Sequence, residues 1–279
     1  NFTSEDRELR FLRTIEAAIE HNVQTLCLEI TSQALMQGFA RNWAPQVGIF
    51  TNLTLDHLDL HGSPEHYLAS KAQLFTNLPP TGTAVFNADD PSSYLLKEVV
   101  PPYCSCKWYS LTDPNVDLSA STVSLSLQGT KITLHPSPLA DAFDGTIEIQ
   151  AVGRVFAYNA LGVCLGAHSL GYSPEVIKQG LKDWKLIKGR FEIVHQHPLV
   201  IIDYTHTPDG LERTLETAQN LNESGLVFCV FGCGGNREQS KRPKMGAIAE
   251  NLADRIIVTS DNPRMESNEK IVQEIMQSV

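Results

Sequence analysis

The chain has 279 residues, 42% hydrophobic and 19% charged, which is apolar enough for a packed core and long enough for two domains of common size. No apolar run approaches the about 18 residues of a membrane span. The 32 acidic against 22 basic side chains leave a net charge of −10, a poor match for nucleic acid or an anionic lipid surface. Phosphate-bearing substrates remain open, because local arginines and helix N-termini bind anions inside acidic proteins.

Asn1-Phe2-Thr3-Ser4 is polar and runs into charges, so neither a signal peptide nor an initiator methionine is present and the chain is expected to begin mid-protein. Ser4 can cap a helix over 5–20, with Leu9, Leu12, Ile15 and Ile19 on one apolar face. Thr25-Leu26-Cys27-Leu28-Glu29-Ile30 reads as a buried strand, as do Val47–Thr51 and Ala84-Val85-Phe86, with helices between them as at 65–77. Short apolar strands alternating with helices imply a parallel α/β sheet. Over 104–150 the pattern changes. Residues 123–127 and 131–134 alternate around Gln128-Gly129-Thr130, a hairpin signal, and Ile147-Glu148-Ile149 alternates again. A small antiparallel sheet beside the parallel one is expected. Helices return at 157–170 and 174–184, the second with Ser173 as cap and Pro174 in its first turn.

A second α/β unit starts near 189. Val200–Asp203, Leu226–Phe231 and Ile256–Val258 read as strands, and 208–221, 241–253 and 267–278 as helices. A doubly wound sheet has about five or six strands, so this unit is expected to be cut short. The division is 1–188 and 189–279. Cys27, Cys164 and Cys229 sit in apolar runs, and all six cysteines are expected to be reduced and structural.

In open parallel sheets ligands bind at the carboxyl ends of strands, and polar clusters fall there. Glu29 could hold Mg²⁺, which prefers hard oxygens, or Thr31 and Ser32 could simply cap a helix. Asn52, Asp56, His57, Asp59 and His61 crowd ten residues after the strand at 47–51, as metal and phosphate ligands or as a solvated loop. Lys71, read alone, is a surface lysine on an amphipathic helix. Asp203-Tyr204-Thr205-His206-Thr207-Pro208 precedes a helix N-terminus able to face a phosphate. Gly232-Cys233-Gly234-Gly235 permits close backbone approach, and Arg264 of Asp261-Asn262-Pro263-Arg264 could fork onto a carboxylate, as a desolvated reader or as a surface pair.

The order of these clusters is more specific than any one. N-L-T-L-D-H-L-D-L-H-G at 52–62, Y-L-A-S-K-A-Q-L-F at 67–75, N-A-D-D-P at 87–91, G-R-F-E at 189–192, D-Y-T-H-T-P-D at 203–209, G-C-G-G-N-R at 232–237, K-R-P-K-M-G at 241–246 and D-N-P-R at 261–264 together resemble the Mur ligase superfamily. Within it, the chain is most similar to the branch that adds the third peptide residue. The resemblance implies a parallel-sheet central ATPase domain with a small antiparallel sheet, followed by a Rossmann-like ligase domain. It implies an ATP-dependent, ADP-forming amide ligase of peptidoglycan and cell-wall biogenesis in the cytoplasm, monomeric and apart from nucleic acid and membrane. Its substrates would be ATP, UDP-N-acetylmuramoyl-L-Ala-D-Glu and meso-diaminopimelate, with Mg²⁺ as cofactor.

By the same resemblance Glu29, His57 and Lys71, the last as a carbamate, would hold Mg²⁺. Asn159, Arg190, Asp203 and His206 would contact the nucleotide. Thr3, Ser4, Thr31 and Gln37 would line the muramoyl-peptide channel, and Arg237, Asp261, Asn262 and Arg264 would bind diaminopimelate. Several positions depart from the pattern. Glu29-Ile30-Thr31-Ser32-Gln33 stands for Glu-Val-Ser-Ser-His, Phe39 replaces an arginine with Arg41 two places on, and Gly153–Asn159 lacks the first asparagine of G-x-x-N-x-x-N. No G-x-x-G-K-T phosphate loop occurs in the chain, and neither a UDP-binding domain nor the last strands of the ligase domain are found. Two alternatives stand beside this reading: a binding-only fragment without turnover, and a folate polyglutamate ligase of the same superfamily.

Overall fold

In the computed structural model, which describes residues 4–54 and 58–279, a parallel ladder carries the first half of the chain. Strands β1 (Val47–Phe50), β2 (Thr83–Asn87), β3 (Ser105–Ser110) and β4 (Leu118–Ser126) lie side by side in that order. β4 joins the two expected sheets into one. It begins parallel to β3, at Tyr109↔Leu118 and Ser110↔Ser119. From Ala120↔Leu134 onward, with a register shift between Ala120 and Thr122, it runs antiparallel to β5 (Gly129–Leu134), which pairs with β6 (Thr146–Ile149).

The apolar runs explain the layers. Ala84, Val85 and Phe86 of β2 are fully buried because helices cover both faces of the sheet. On one face lies α8 (Arg154–Ser169), with Ala157, Leu161, Cys164 and Leu165 packed into a cluster with Tyr109, Ile132 and Ile147. On the other, α5 (Pro64–Thr76) and α6 (Ser92–Lys97) pack Phe75 and Leu96 against Phe50 and Phe86. The short helices α2 (Ser32–Met36), α3 (Phe39–Asn42), α4 (Leu58–His61) and α7 (Pro138–Ala142) lie in connections. α9 (Pro174–Asp183) starts as its sequence suggests. Ser173 Oγ accepts the Val176 N–H, Pro174 opens the helix, and Ile177 and Leu181 are buried.

In the second unit β9 (Phe228–Phe231) and β10 (Arg255–Val258) are parallel and joined by α11 (Lys241–Leu252). α10 (Pro208–Leu221) and α12 (Asn268–Ile275) complete a core of Leu211, Leu215, Cys229, Met245, Ala249, Ile271 and Ile275. No helix among the described residues is long and apolar enough to cross a membrane.

Four expectations need correction. Thr25–Ile30 forms no strand: Leu26 and Leu28 are each 40% exposed, and no ladder engages the segment among the described residues. An apolar run specifies burial but not the partner that a ladder requires. The face of α1 (Ser4–Glu20) is also open, with Leu9 49% and Ile19 72% exposed; Phe11 instead meets Phe39 and Trp43 edge-on. Strand β8 (Leu199–Ile202) pairs antiparallel with β7 (Glu192–Gln196), not with β9, because the short turn at His197-Pro198 folds it back on its own neighbour. Cys27 is exposed on the open segment, while Cys164 and Cys229 are buried; all six cysteines are free thiols.

Candidate active site

A cavity of about 880 Å³ opens between the two units at the strand ends. Its wall from the first unit carries Glu29, Asn52, Asp89, Asp90, Phe156, Tyr158 and Asn159, and its wall from the second carries Arg190, Asp203, Thr205, His206, Asp209 and Arg213. That volume suits a nucleotide-sized ligand.

The first wall is held by side chains of the connections after β1 and β2. Asn87 Nδ2 donates to the Thr51 carbonyl at 2.8 Å, and Asp90 accepts the N–H groups of Leu53 and Ser92 at 2.7 and 2.8 Å. Asp89 accepts from Ser110 Oγ and Thr112 Oγ1 at 2.6 and 2.5 Å and from Leu111 N at 2.7 Å. Burial pushes the Asp89 carboxyl up, but these bonds and one from Tyr158 outweigh it and hold it below the usual carboxylate range. The Tyr158 hydroxyl is pushed up to about 12, first by burial and then by Asp89.

Lys71 lies on α5, its amine 5.2 Å from the centre of the Tyr67 ring. Burial drives the ammonium below its usual range, while the carboxylates of Asp90 and Glu29 pull the other way. Lys71 is thus only partly exposed, not the solvated lysine of an amphipathic surface. His61 has a different place from the one its cluster suggests. It is buried between α2 and α5, with Nε2 2.9 Å from Ser32 Oγ, Nδ1 3.4 Å from Ser70 Oγ and its ring stacked on Tyr67. It braces the helix that Thr31 caps by accepting the Ala34 N–H. Thr3, Asp56 and His57 lie outside the described residues, as do the side chains of Ser4 and Asp59.

On the second wall Asp203 works as a bracket: Oδ2 accepts the Phe191 N–H at 2.7 Å and Oδ1 the Thr205 N–H at 2.8 Å. Those bonds fix Arg190, whose guanidinium lies 5.0 Å from the centre of the Tyr204 ring, and they shape the loop that carries His206. Arg190, Asn159 and His206 are exposed to the cavity. The His206 carbonyl receives a 2.7 Å bond from Lys241 Nζ at the start of α11.

None of Asp261, Asn262, Arg264 and Arg237 lines the cavity; they lie in the loops that follow β9 and β10. Here the glycine-rich loop after β9 touches the loop after β10. Gly235 N donates to the Asn262 carbonyl at 2.8 Å, Met265 N to Asn236 Oδ1 at 2.9 Å, and Arg264 Nη1 to the Gly235 carbonyl at 2.7 Å. A Cβ at Gly235 would overlap the Pro263 carbonyl, which is why this contact needs glycine. Arg264 and Arg237 are both exposed, so of the two readings left open for Arg264 the desolvated one does not hold. Thr31 and Gln37 are exposed at the two ends of α2, away from the cavity.

Asp89, Tyr158 and Arg213 carry no role in the sequence reading. The N-A-D-D-P run at 87–91 held the signal for Asp89, a carboxylate just past a strand. Nothing in the order of residues placed Arg213 of α10 opposite α8.

Comparison with known proteins follows the same two units. The Mur ligase middle domain matches residues 3–167, and the Mur ligase glutamate ligase domain matches residues 189–279. The UDP-N-acetylmuramoyl-L-alanyl-D-glutamate–2,6-diaminopimelate ligase of Geobacter metallireducens is 40% identical over 275 residues, covering 95% of this chain and 52% of its own. That of Thermosynechococcus vestitus is 37% identical over 271 residues, covering 95% and 53%. The chain therefore spans about half the length of the curated relatives it matches. A solved structure of a ligase with the same name superposes with a TM-score of 0.61 at 30% identity, covering 90% of this chain and 51% of that one. A Mycobacterium tuberculosis folylpolyglutamate synthase, 18% identical with a TM-score of 0.65, shares the fold. The chain belongs to the Mur ligase family.

Proposed function

We propose that the protein is an ATP-dependent ligase that joins meso-diaminopimelate to UDP-N-acetylmuramoyl-L-alanyl-D-glutamate in the cytoplasm, with the division of labour between residues 1–188 and 189–279. One observation carries the reading: Glu29 and Asn159 of the first unit share a cavity with Arg190 and His206 of the second. A site made by two bodies can close on its ligand and exclude water, which a hydrolysable acyl phosphate requires. The names of the relatives at 37–40% identity support the substrate.

Asn159, Arg190 and His206 would hold the nucleotide, with Asp203 fixing the loop behind them. The D-glutamyl γ-carboxylate would attack the ATP γ-phosphate, releasing ADP, and the diaminopimelate amine would displace phosphate from the acyl phosphate. Arg190 would offset charge as it spreads over the transferring group. Among the described residues no three His, Cys, Asp or Glu side chains gather as a metal site, so Mg²⁺ binding would depend on a carbamate at Lys71 beside Glu29. Glu29 offers a hard oxygen, and the lowered Lys71 amine can attack CO₂ and lose a proton, becoming a carbamate with two more oxygens. Glu29, Lys71 and His57 would hold the ion, which supplies charge neutralisation to the phosphates. Thr3, Ser4, Thr31 and Gln37 would face the muramoyl peptide, and Arg237, Asp261, Asn262 and Arg264 the diaminopimelate.

The test is ADP release by the full-length protein with each substrate left out in turn. Release that needs both the muramoyl dipeptide and meso-diaminopimelate is expected. Release supported instead by a folate and L-glutamate would move the protein to the other branch of the fold, and no release at all would leave a binding protein. The isolated 279-residue chain is proposed to be inactive, since it carries no G-x-x-G-K-T motif.

A further inference from the structure

Beneath the facing loops lies a charged cluster that the proposed chemistry does not use. Arg242, in the first turn of α11, has a side chain that is 0% exposed. Its guanidinium forks onto Glu266, with Nη1 to Oε2 at 2.9 Å and Nη2 to Oε1 at 3.0 Å. Nη1 also donates to Glu274 Oε2 of α12 at 2.5 Å, and Nη2 to the Gly234 carbonyl at 3.2 Å. Its Nε meets no acceptor among the described residues.

Such a cluster is a poor device for stability alone, because desolvating the charges offsets most of their attraction. It is a good device for geometry, because a planar fork fixes direction as well as distance. What it fixes here is the pair of loops. Glu266 sits two residues beyond Arg264, and it also accepts the Asn236 N–H at 2.5 Å and a bond from Gln239 Nε2 at 3.2 Å. Asn236 immediately precedes Arg237. Arg242 therefore holds one loop through the Gly234 carbonyl and both loops through Glu266. Asn236 and Arg264 both have φ of +51°; asparagine tolerates that left-handed conformation, but a long side chain such as that of Arg264 resists it. Such residues persist where their surroundings over-determine them.

We propose that Arg242 is a positioning residue for amino-acid recognition. It touches no substrate; through Glu266 and the Gly234 carbonyl it sets the spacing between Arg237 and Arg264, and that spacing selects an amino acid with a second, distal carboxylate. The proposal rests on the reading of these loops as the diaminopimelate site.

Steady-state kinetics of the full-length enzyme test it, with Arg242→Met, Arg242→Lys and Glu266→Gln as loop-releasing variants and Glu274→Gln as the comparison. Glu274 meets Arg242 but, among the bonds the structure records, neither loop. Releasing the loops is expected to raise KM for meso-diaminopimelate tenfold or more. KM for ATP should stay within twofold, and preference over L-lysine should fall by a similar factor. Arg242→Lys keeps the charge without the fork and should fall between wild type and Arg242→Met. Glu274→Gln is expected to lower the melting temperature and leave KM for diaminopimelate in place. Should the Arg242 variants fail to fold, Glu266→Gln against Glu274→Gln still decides. Equal effects of those two on KM, or none from either, would overturn the positioning role and leave a core ion cluster. A wild-type enzyme indifferent to diaminopimelate would instead overturn the reading of the site, and this proposal with it.

Discussion

At Lys71 two influences oppose each other: burial favours the neutral amine, while Asp90 and Glu29 favour the ammonium. Burial wins, so the amine is readier to react than a surface lysine would be. Lys71→Ala is expected to lower turnover in the full-length enzyme by roughly a hundredfold or more, with partial rescue by short carboxylic acids that restore the missing oxygens. Near-normal turnover, or loss without rescue, would remove the carbamate from the account. Arg264 invites a more modest expectation than a buried arginine would, because it is exposed and already donates to the Gly235 carbonyl. A charged hydrogen bond in such a place contributes about 1.5–3 kcal/mol, or one to two decades of specificity. Arg264→Ala should raise KM for meso-diaminopimelate by that factor and leave KM for ATP nearly unchanged; undiminished preference over L-lysine would show that another group reads the distal carboxylate. Neither side chain could be judged from its neighbours in sequence. Lys71 lies within an ordinary helical pattern, and the exposure of Arg264 follows from how two loops 29 residues apart meet. That Asn159, Arg190 and His206 would face a common space was legible in the motif order, and Glu29 lines the same cavity although the strand expected to end at it does not form.

Elements with local signals were readable: α9 and α10 carry a hydroxyl cap, a proline in the first turn and leucines or isoleucines at helical spacing. What could not be read depends on partners far along the chain. β3 is a mixed run, Ser-Cys-Lys-Trp-Tyr-Ser, recruited by the ladder of β2, and Thr25–Ile30 has the right residues but no ladder. Arg242 belongs to the same class, since it looks like a surface charge of α11 until Glu266 and Glu274 close over it. That closure has a pH signature. Hydrogen bonding and charge from Arg242 hold the Glu266 carboxyl down at about 2, against an ordinary value of 4.5. A carboxyl depressed in the folded state adds stability that is complete above its unfolded value and is lost as pH falls toward the folded one. Thermal melts should therefore show the second unit weakening between about pH 5 and pH 2. Glu266→Gln should start from a lower melting temperature near neutrality and decline less steeply over that window. An identical acid profile for the variant would mean that other carboxyls govern the loss.

The two units meet across the cavity, so the nucleotide recognition proposed for it would be a property of the pair. Thr217 of α10 approaches Gly153, which caps α8 with φ of +139°, so the second unit rests on the turn that leads to Asn159. Around this junction the cavity supplies aromatic and polar surface, with Phe156, Trp184, Asn159 and His206 suited to a base and sugar, and Arg190 as a nearby cation. Phosphate recognition asks for more: several backbone N–H groups turned onto the β- and γ-phosphates, as a glycine-rich loop at a helix N-terminus provides. The 279 residues hold no G-x-x-G-K-T motif, and the glycine-rich loop they do hold, Gly232–Gly235, is spent on contact with the loop after β10. The isolated chain should then respond to the part of the nucleotide its cavity fits and be nearly blind to the number of phosphates. Titration calorimetry is expected to give dissociation constants of about 0.1 mM or weaker for ATP, ADP and AMP alike, equivalent to no more than about 5.5 kcal/mol of binding free energy. The full-length protein should favour ATP over AMP by at least tenfold. Micromolar ATP affinity in the isolated chain, or a tenfold preference for ATP over AMP there, would mean that these two units already contain a phosphate cradle and that the cavity between them has been given too small a role.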